Sequence, residues 1–461
     1  MKQRTGVVLL ATFVSAGAWG QDVSAFSTTI LQLRKQDAPG FPSATLAPAT
    51  EFLGVDAAGL GVDGLSLHLF GWGFKDLKDQ STPRGTSGGD LSYGYLDYRF
   101  AKANAQLKAG RFSVSQGAGV EQVDGVSGRT DLKGGFNLSA FAGVPVHYRA
   151  QDPAQQANYN LQHDTIFGTR VGLRLGPVGE AGVSYLQDGS RPAKDYPSSQ
   201  VDYSRRQLGT DLRLAPTARL AINGHTLFDV ASRFTAPGAT AASPSRVAEH
   251  DYTAGYRFSP AVALNGTYTE RNLQAYFQGT SLPSLFRTDV EDKHRAMGAN
   301  LVLDTFGATE VTVDFRHIKR DTYGNTNRYG VDLRWAVPEA KLKAGGGLHR
   351  VSGADALTRT ATPTFYGLSR TEARAWVMVE SGRATASLDG IYYHFDDAAN
   401  PNLNGKSSMS QLVASAGFRP VENLAVSGDL SYGMNPLYQY ETSVLLRTTY
   451  RFAVASKGGS K

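Results

Sequence analysis

The chain has 461 residues, a formal net charge of +6, 51 glycines, 19 prolines, 10% aromatic residues and no cysteine. Lack of cysteine excludes a disulfide framework, a thiolate metal site and any C-x-x-C-H attachment for a c-type haem. A chain of this length would ordinarily divide into roughly two to four domains, yet it shows no linker, composition break or long helical segment, and its evenly spread charge excludes disordered and collagen-like classes.

The N-terminus reads as an export signal. MKQR is a basic start, Thr5 to Ala16 is mostly apolar, and Ala18-Trp19-Gly20 puts small residues before a cut at Gln21. The apolar run falls short of the roughly 20 residues of a membrane-spanning helix, so a secretory signal peptide over 1–20 is expected. A single domain over 21–461 follows.

From about residue 24 to the end, apolar and polar residues alternate with the period of two of an extended strand. In 166–175, Phe167, Val171, Leu173 and Leu175 oppose Arg170 and Arg174. In 311–317, Val311, Val313 and Phe315 oppose Thr312, Asp314 and Arg316. In 340–349, Leu342, Ala344 and Leu348 oppose Lys341, Lys343 and His349, and YETSVLLRTTYRF (440–452) repeats the pattern. These segments are about 9–14 residues long, more than the usual soluble strand and enough to cross a bilayer at a tilt.

Short turns are expected at GVDG (61–64), AKAN (101–104), LKGG (132–135), GPVG (176–179), APTA (215–218), SPA (259–261), TFGA (305–308), VPEA (337–340), SGR (381–383) and RPVEN (419–423). Longer connections such as 188–202, 230–247 and 273–294 lie between them. Ten hairpins plus one strand at each end make about 22 strands, within a range of 20–24. The fold class expected is therefore all-β: a closed antiparallel transmembrane β-barrel with short periplasmic turns, longer outer loops and no plug domain. Only closure satisfies every backbone group of a sheet in lipid.

Tyr-Arg-Phe closes three strands, as Tyr98-Arg99-Phe100, Tyr256-Arg257-Phe258 and Tyr450-Arg451-Phe452. Leu173-Arg174-Leu175, Leu212-Arg213-Leu214 and Leu333-Arg334-Trp335 occupy the same place in their strands. Tyr98, Phe100, Tyr256, Phe258, Trp335, Tyr450 and Phe452 form an expected lipid-face girdle at the periplasmic interface. Arg99, Arg174, Arg213, Arg257, Arg334 and Arg451 must then face the lumen, as a basic ring at the periplasmic mouth that favours anions or an acidic partner. The plain alternative is an ordinary polar lumen, balanced by Asp and Glu elsewhere.

No enzyme signature accompanies this pattern. Gly59, Gly61 and Gly64 match G-x-G-x-x-G, but an alternating strand follows instead of a helix, so a turn is expected. His68, His147, His225, His317 and His349 have no zinc spacing, and G-x-S-x-G and S-x-x-K elements are missing. No catalytic, metal or nucleic-acid-binding residues are assigned.

The stretch GRFSVSQGAGVEQVDGVSGRTDLKGGFNLSAFAGVPV (110–146), with the export signal and cysteine-free barrel, resembles the β-barrel subunits of porin–cytochrome conduits of metal-reducing bacteria. The resemblance implies a sheath around a multihaem c-type cytochrome that carries electrons across the outer membrane. Haem would come only through that partner, with further cytochromes on the periplasmic and outer sides, and no haem-contacting residues are implied. The competing reading is a passive diffusion porin with mild anion preference. An unplugged barrel with modest loops favours the sheath, and the abundance of porins among exported barrels favours the pore.

Overall fold

In the computed structural model, residues 22–37, 44–78, 87–117, 119–146, 165–190, 202–230, 233–235, 246–272, 293–320, 324–353, 368–398, 403, 405–435 and 440–454 are described. The expected signal peptide and most of the longer connections lie outside these residues.

Two of the strands, Ala44–Leu46 and Arg233–Thr235, are three-residue additions to their neighbours. The other 22 make one antiparallel wall, as the turn count implied. The first strand, Asp22–Asp37, pairs with the last, Tyr440–Val454, from Val23 opposite Val454 to Asp37 opposite Tyr440. That pairing closes the sheet and leaves no edge to satisfy.

All ten expected turns connect consecutive strands. At AKAN a short 3-10 turn ends on Asn104, whose left-handed φ of 45° is tolerated by its side chain. At APTA the strand runs further than expected, through Thr217, because a register shift after Leu214 moves the turn to 218–219. The Thr217 hydroxyl there accepts bonds from the backbone N–H groups of Arg219 and Leu220, at 3.3 and 3.1 Å.

The alternation sorts the two faces. Leu107, Val126, Val171, Val183, Leu264, Val313, Leu333, Leu412 and Leu446 all stand exposed on one side of their strands, which is the lipid side. The opposite side carries charge: Arg328 pairs with Asp314 at 2.9 Å, Arg374 with Asp389 and Arg34 with Glu441. Polar residues line the lumen because water there keeps them solvated.

Two outer connections are tighter than expected: across one, Arg320 already stands opposite Gly324, and the other leads into a hairpin that leaves the wall. Strands Ala105–Gln116 and Gly119–Asp131 pair up to Gln116 opposite Gly119, so this outer turn is as tight as the periplasmic ones.

Candidate functional site: a hairpin folded into the pore

A row of three glycines causes the departure. Gly110, Gly125 and Gly143 stand directly opposite one another on three adjacent strands. A Cβ on Gly110 would stand 2.3 Å from the Gly94 carbonyl oxygen, and its φ of 126° suits only glycine. On Gly125 it would stand 2.1 Å from the Ala142 oxygen, and on Gly143, 2.4 Å from that of Asp124. Backbones approach here without side chains between them, which allows a sharp bend in the wall.

Beyond the row, the hairpin leaves the wall. Pairing with the preceding strand, Ser87–Phe100, stops at Gly94 opposite Arg111. Pairing with the following strand, Phe136–Pro145, begins at Val123 opposite Pro145. Side chains take over where the ladder is lost. Arg111 Nη1 donates to the Leu91 carbonyl at 2.9 Å, and the Gln122 side-chain amide donates to the Ser92 carbonyl. Arg111 is itself fixed by Asp124, at 2.7 and 2.8 Å, and by Asp90 at 3.2 Å. Buried or lipid-adjacent backbone groups need such partners.

The tip turns inward and packs on the luminal face of the strands that follow. Phe112, Val114 and Val123 of the hairpin form one buried cluster with Phe141, Ile166 and Leu186 of the wall. Each such side chain removed from water contributes on the order of 1.5–3 kcal/mol, which holds the tip down. Glu121 Oε1 accepts from Arg205 Nη2 at 2.5 Å, and Arg205 also reaches Asp188 at 3.2 Å. Beneath the tip, Arg170 binds Asp211 through Nε and Nη2 at 2.9 and 2.6 Å, and Asn137 and Glu180 through Nη1, both at 2.8 Å. Composition offered one signal for this element, the repeated glycines of 110–143, but their shared level depends on strand register.

The expected ring arginines all sit at or near the short-turn ends of their strands, between apolar residues that are exposed except for the half-buried Tyr98, Leu212 and Leu214. Tyr98 and Phe100 meet edge to face at 4.4 Å between centroids, and Tyr256 and Phe258 at 4.9 Å, so each pair shares a face that excludes the intervening Arg99 or Arg257. Phe100, Tyr256, Phe258, Trp335, Tyr450 and Phe452 are exposed, and Tyr98 is half-buried. Arg174 is answered by Asp131 at 3.0 Å, with Glu180 at 4.0 Å. For Arg99, Arg213, Arg257, Arg334 and Arg451 no carboxylate lies within ion-pair distance among the described residues, although Glu310 stands opposite Arg334 in register. Lys343, at the same level, pairs with Glu380 at 3.4 Å.

A second luminal cluster was invisible in the sequence because its members come from three strands. His349 Nε2 lies 3.0 Å from Asp314 Oδ1 and 3.2 Å from Asp332 Oδ2, a grouping with the donor set for a divalent metal. Arg328 already neutralises Asp314 and reaches Glu372 at 3.2 Å, so the group is a charge-compensated network as it stands.

The ferric enterobactin receptor PfeA of Pseudomonas aeruginosa aligns over 92% of this chain and 80% of its own, with a TM-score of 0.55 at 10% identity. The siderophore receptor PirA of the same organism aligns over the same shares at TM-score 0.55 and 11% identity. The fold is that of a Gram-negative outer-membrane β-barrel. The outer membrane protein OpdK of Pseudomonas aeruginosa covers 94% of this chain and 99% of its own at 10% identity and a TM-score of 0.44. No family model matches the chain, and no curated protein matches it either. These comparisons give the porin–cytochrome resemblance no support.

Proposed function

We propose that the protein is a passive diffusion pore of the outer membrane, narrowed from within by the hairpin 112–123, with mild anion preference set by the arginines of its periplasmic mouth. The observation that carries this reading is the docking of the tip on the luminal wall through the Phe112, Val114 and Val123 cluster. A wide barrel needs such an element to become selective, since barrels of 16–18 strands already leave an aqueous channel. Five ring arginines without a bonded carboxylate among the described residues support an excess of positive potential at the mouth.

The alternative, a sheath for a multihaem cytochrome, rests on the stretch 110–146. That stretch holds the bend, the hairpin and part of its platform, and the bend accounts for its glycines without a partner. The docked hairpin also takes luminal space that an inserted chain would need.

Reconstitution of the purified protein in a planar bilayer tests both. Steady ion conduction, a reversal potential displaced toward the anion and no haem in the preparation are expected. A non-conducting protein that carries stoichiometric haem on a second polypeptide would reverse the choice.

A further inference from the structure

The outward face of the wall is mainly apolar, but it changes character at the outer ends of four adjacent strands. Glu270, Arg295, Lys319 and Asn325 stand opposite one another across the strands Val262–Asn272, Lys293–Phe306, Thr309–Arg320 and Gly324–Val337. Each keeps the parity of an exposed apolar residue of its own strand, namely Leu264, Met297, Phe315 and Tyr329, so all four point away from the lumen. Lys319 is one residue from the end of its strand and Asn325 one residue from the start of its own. Lys293, the first residue of its strand, shares the parity of Arg295 and joins them.

Directly opposed residues on paired strands bring their Cβ atoms to about 5 Å. Three cations therefore share one small area with a single carboxylate. Glu270 accepts from Lys293 Nζ, from Arg295 Nε at 3.2 Å and from the Tyr268 hydroxyl at 2.6 Å. Lys319 is exposed, and no carboxylate lies within ion-pair distance of it among the described residues. Three cations against one carboxylate leave an excess of two positive charges. Outward-facing cations are costly near mid-bilayer and nearly free at the headgroup level. On the membrane side of the patch, Met297, Phe315 and Tyr329 present exposed apolar surface. A lipid with its anionic group at the top of its acyl chains complements both parts. A phosphate monoester carries roughly 1.5–2 negative charges, which matches the excess, whereas the phosphodiester of a phospholipid carries about one.

We propose that this patch seats a monoester phosphate of the phosphorylated glycolipid of the outer leaflet. Arg295 and Lys319 hold the phosphate, the acyl chains lie along Met297, Phe315 and Tyr329, and the sugar hydroxyls turn toward the Asn325 amide. The inference needs only the outward face and stands apart from the pore reading. The test is native mass spectrometry of the detergent-solubilised protein, stripped of native lipid. The probes are diphosphorylated lipid A, the same lipid A after removal of its phosphates, and phosphatidylglycerol. Diphosphorylated lipid A binds, and each of the other two binds about tenfold more weakly. Arg295→Gln/Lys319→Gln leaves Glu270 paired with Lys293, so the heat-modifiable folded band is retained. In this variant lipid A binding falls about tenfold, the scale of one lost charge-assisted contact. Should it not fold, Lys319→Gln alone, which breaks no ion pair among the described residues, must weaken lipid A binding in the same sense. Lipid A binding unchanged in the folded variant, or unaffected by loss of the phosphates, overturns the proposal. So does phosphatidylglycerol binding as tight as that of lipid A, which would mark a surface for any anionic lipid. Bilayer conductance of the double variant equals that of the unaltered protein, because no luminal side chain is changed; an altered conductance would place these cations in the lumen and overturn the assignment.

Discussion

Gly117, at the tip of the inward hairpin, lies against Ser184 on the luminal wall, so near that a Cβ on the glycine would stand 2.3 Å from the serine Oγ. The two residues are far apart in sequence: Gly117 is in the turn after the strand Ala105–Gln116, and Ser184 is on the strand Gly179–Ser190, which does not pair with it. Their contact fixes the hairpin as part of the lumen. It also makes the docking testable at one position.

Gly117→Val adds a branched side chain where φ is +61° and where Ser184 and Asp211 leave no space. The tip must lift while the wall, which does not depend on it, closes as before. Normal assembly with a larger and noisier single-channel conductance is expected. Conductance equal to that of the unaltered protein would show that the tip does not limit the bore.

Gly125→Val tests the bend itself. Its Cβ would meet the Ala142 carbonyl oxygen and lie 2.7 Å from Gly143 Cα, both backbone atoms that cannot rotate away. Overpacking of this kind costs about 1–3 kcal/mol or more. A clear loss of the heat-modifiable folded band is expected, larger than for Gly128→Val on the same strand, where the nearest atom to a new Cβ is 4.0 Å away.

The last strand separates the two faces of the wall. Leu446 is 49% exposed on the lipid side, and Thr449, bonded to Thr28 at 3.0 Å between hydroxyls, faces the lumen. Leu446→Lys should impair assembly by the roughly 2–4 kcal/mol that a lipid-facing charge costs near mid-bilayer. Thr449→Lys should assemble normally. Equal band intensities for the two variants would contradict the register.

Replacement of Arg213, Arg257, Arg334 and Arg451 by Gln removes positive charge from the mouth without breaking an ion pair among the described residues. The reversal potential in a salt gradient should move toward the cation, while assembly is unchanged. Arg174→Gln alone, which frees Asp131 from its 3.0 Å contact, should give a similar shift per residue but a less stable fold.

Much of the architecture was legible in the residues themselves. Which way a strand side chain points depends only on its place in the alternation, as Tyr98-Arg99-Phe100 illustrates. Turns such as LKGG and GPVG need residues that tolerate unusual backbone angles, and those residues are visible one by one. Strand number followed, because each hairpin is closed by its own few residues. Closure followed as well, since a sheet in lipid has no other way to satisfy its edges.

Only the tertiary structure decided what lies inside the barrel. The sequence shows Gly110, Gly125 and Gly143 as three separate glycines; pairing register sets them side by side and turns them into a bend. The same holds for Phe26 and Tyr93, which meet through Phe70, and for His349, which reaches Asp314 across an intervening strand. Alternation is a property of each strand alone, set by the geometry of an extended backbone. The contents of the lumen arise from contacts between strands distant in the chain, and only the closed barrel brings those contacts about.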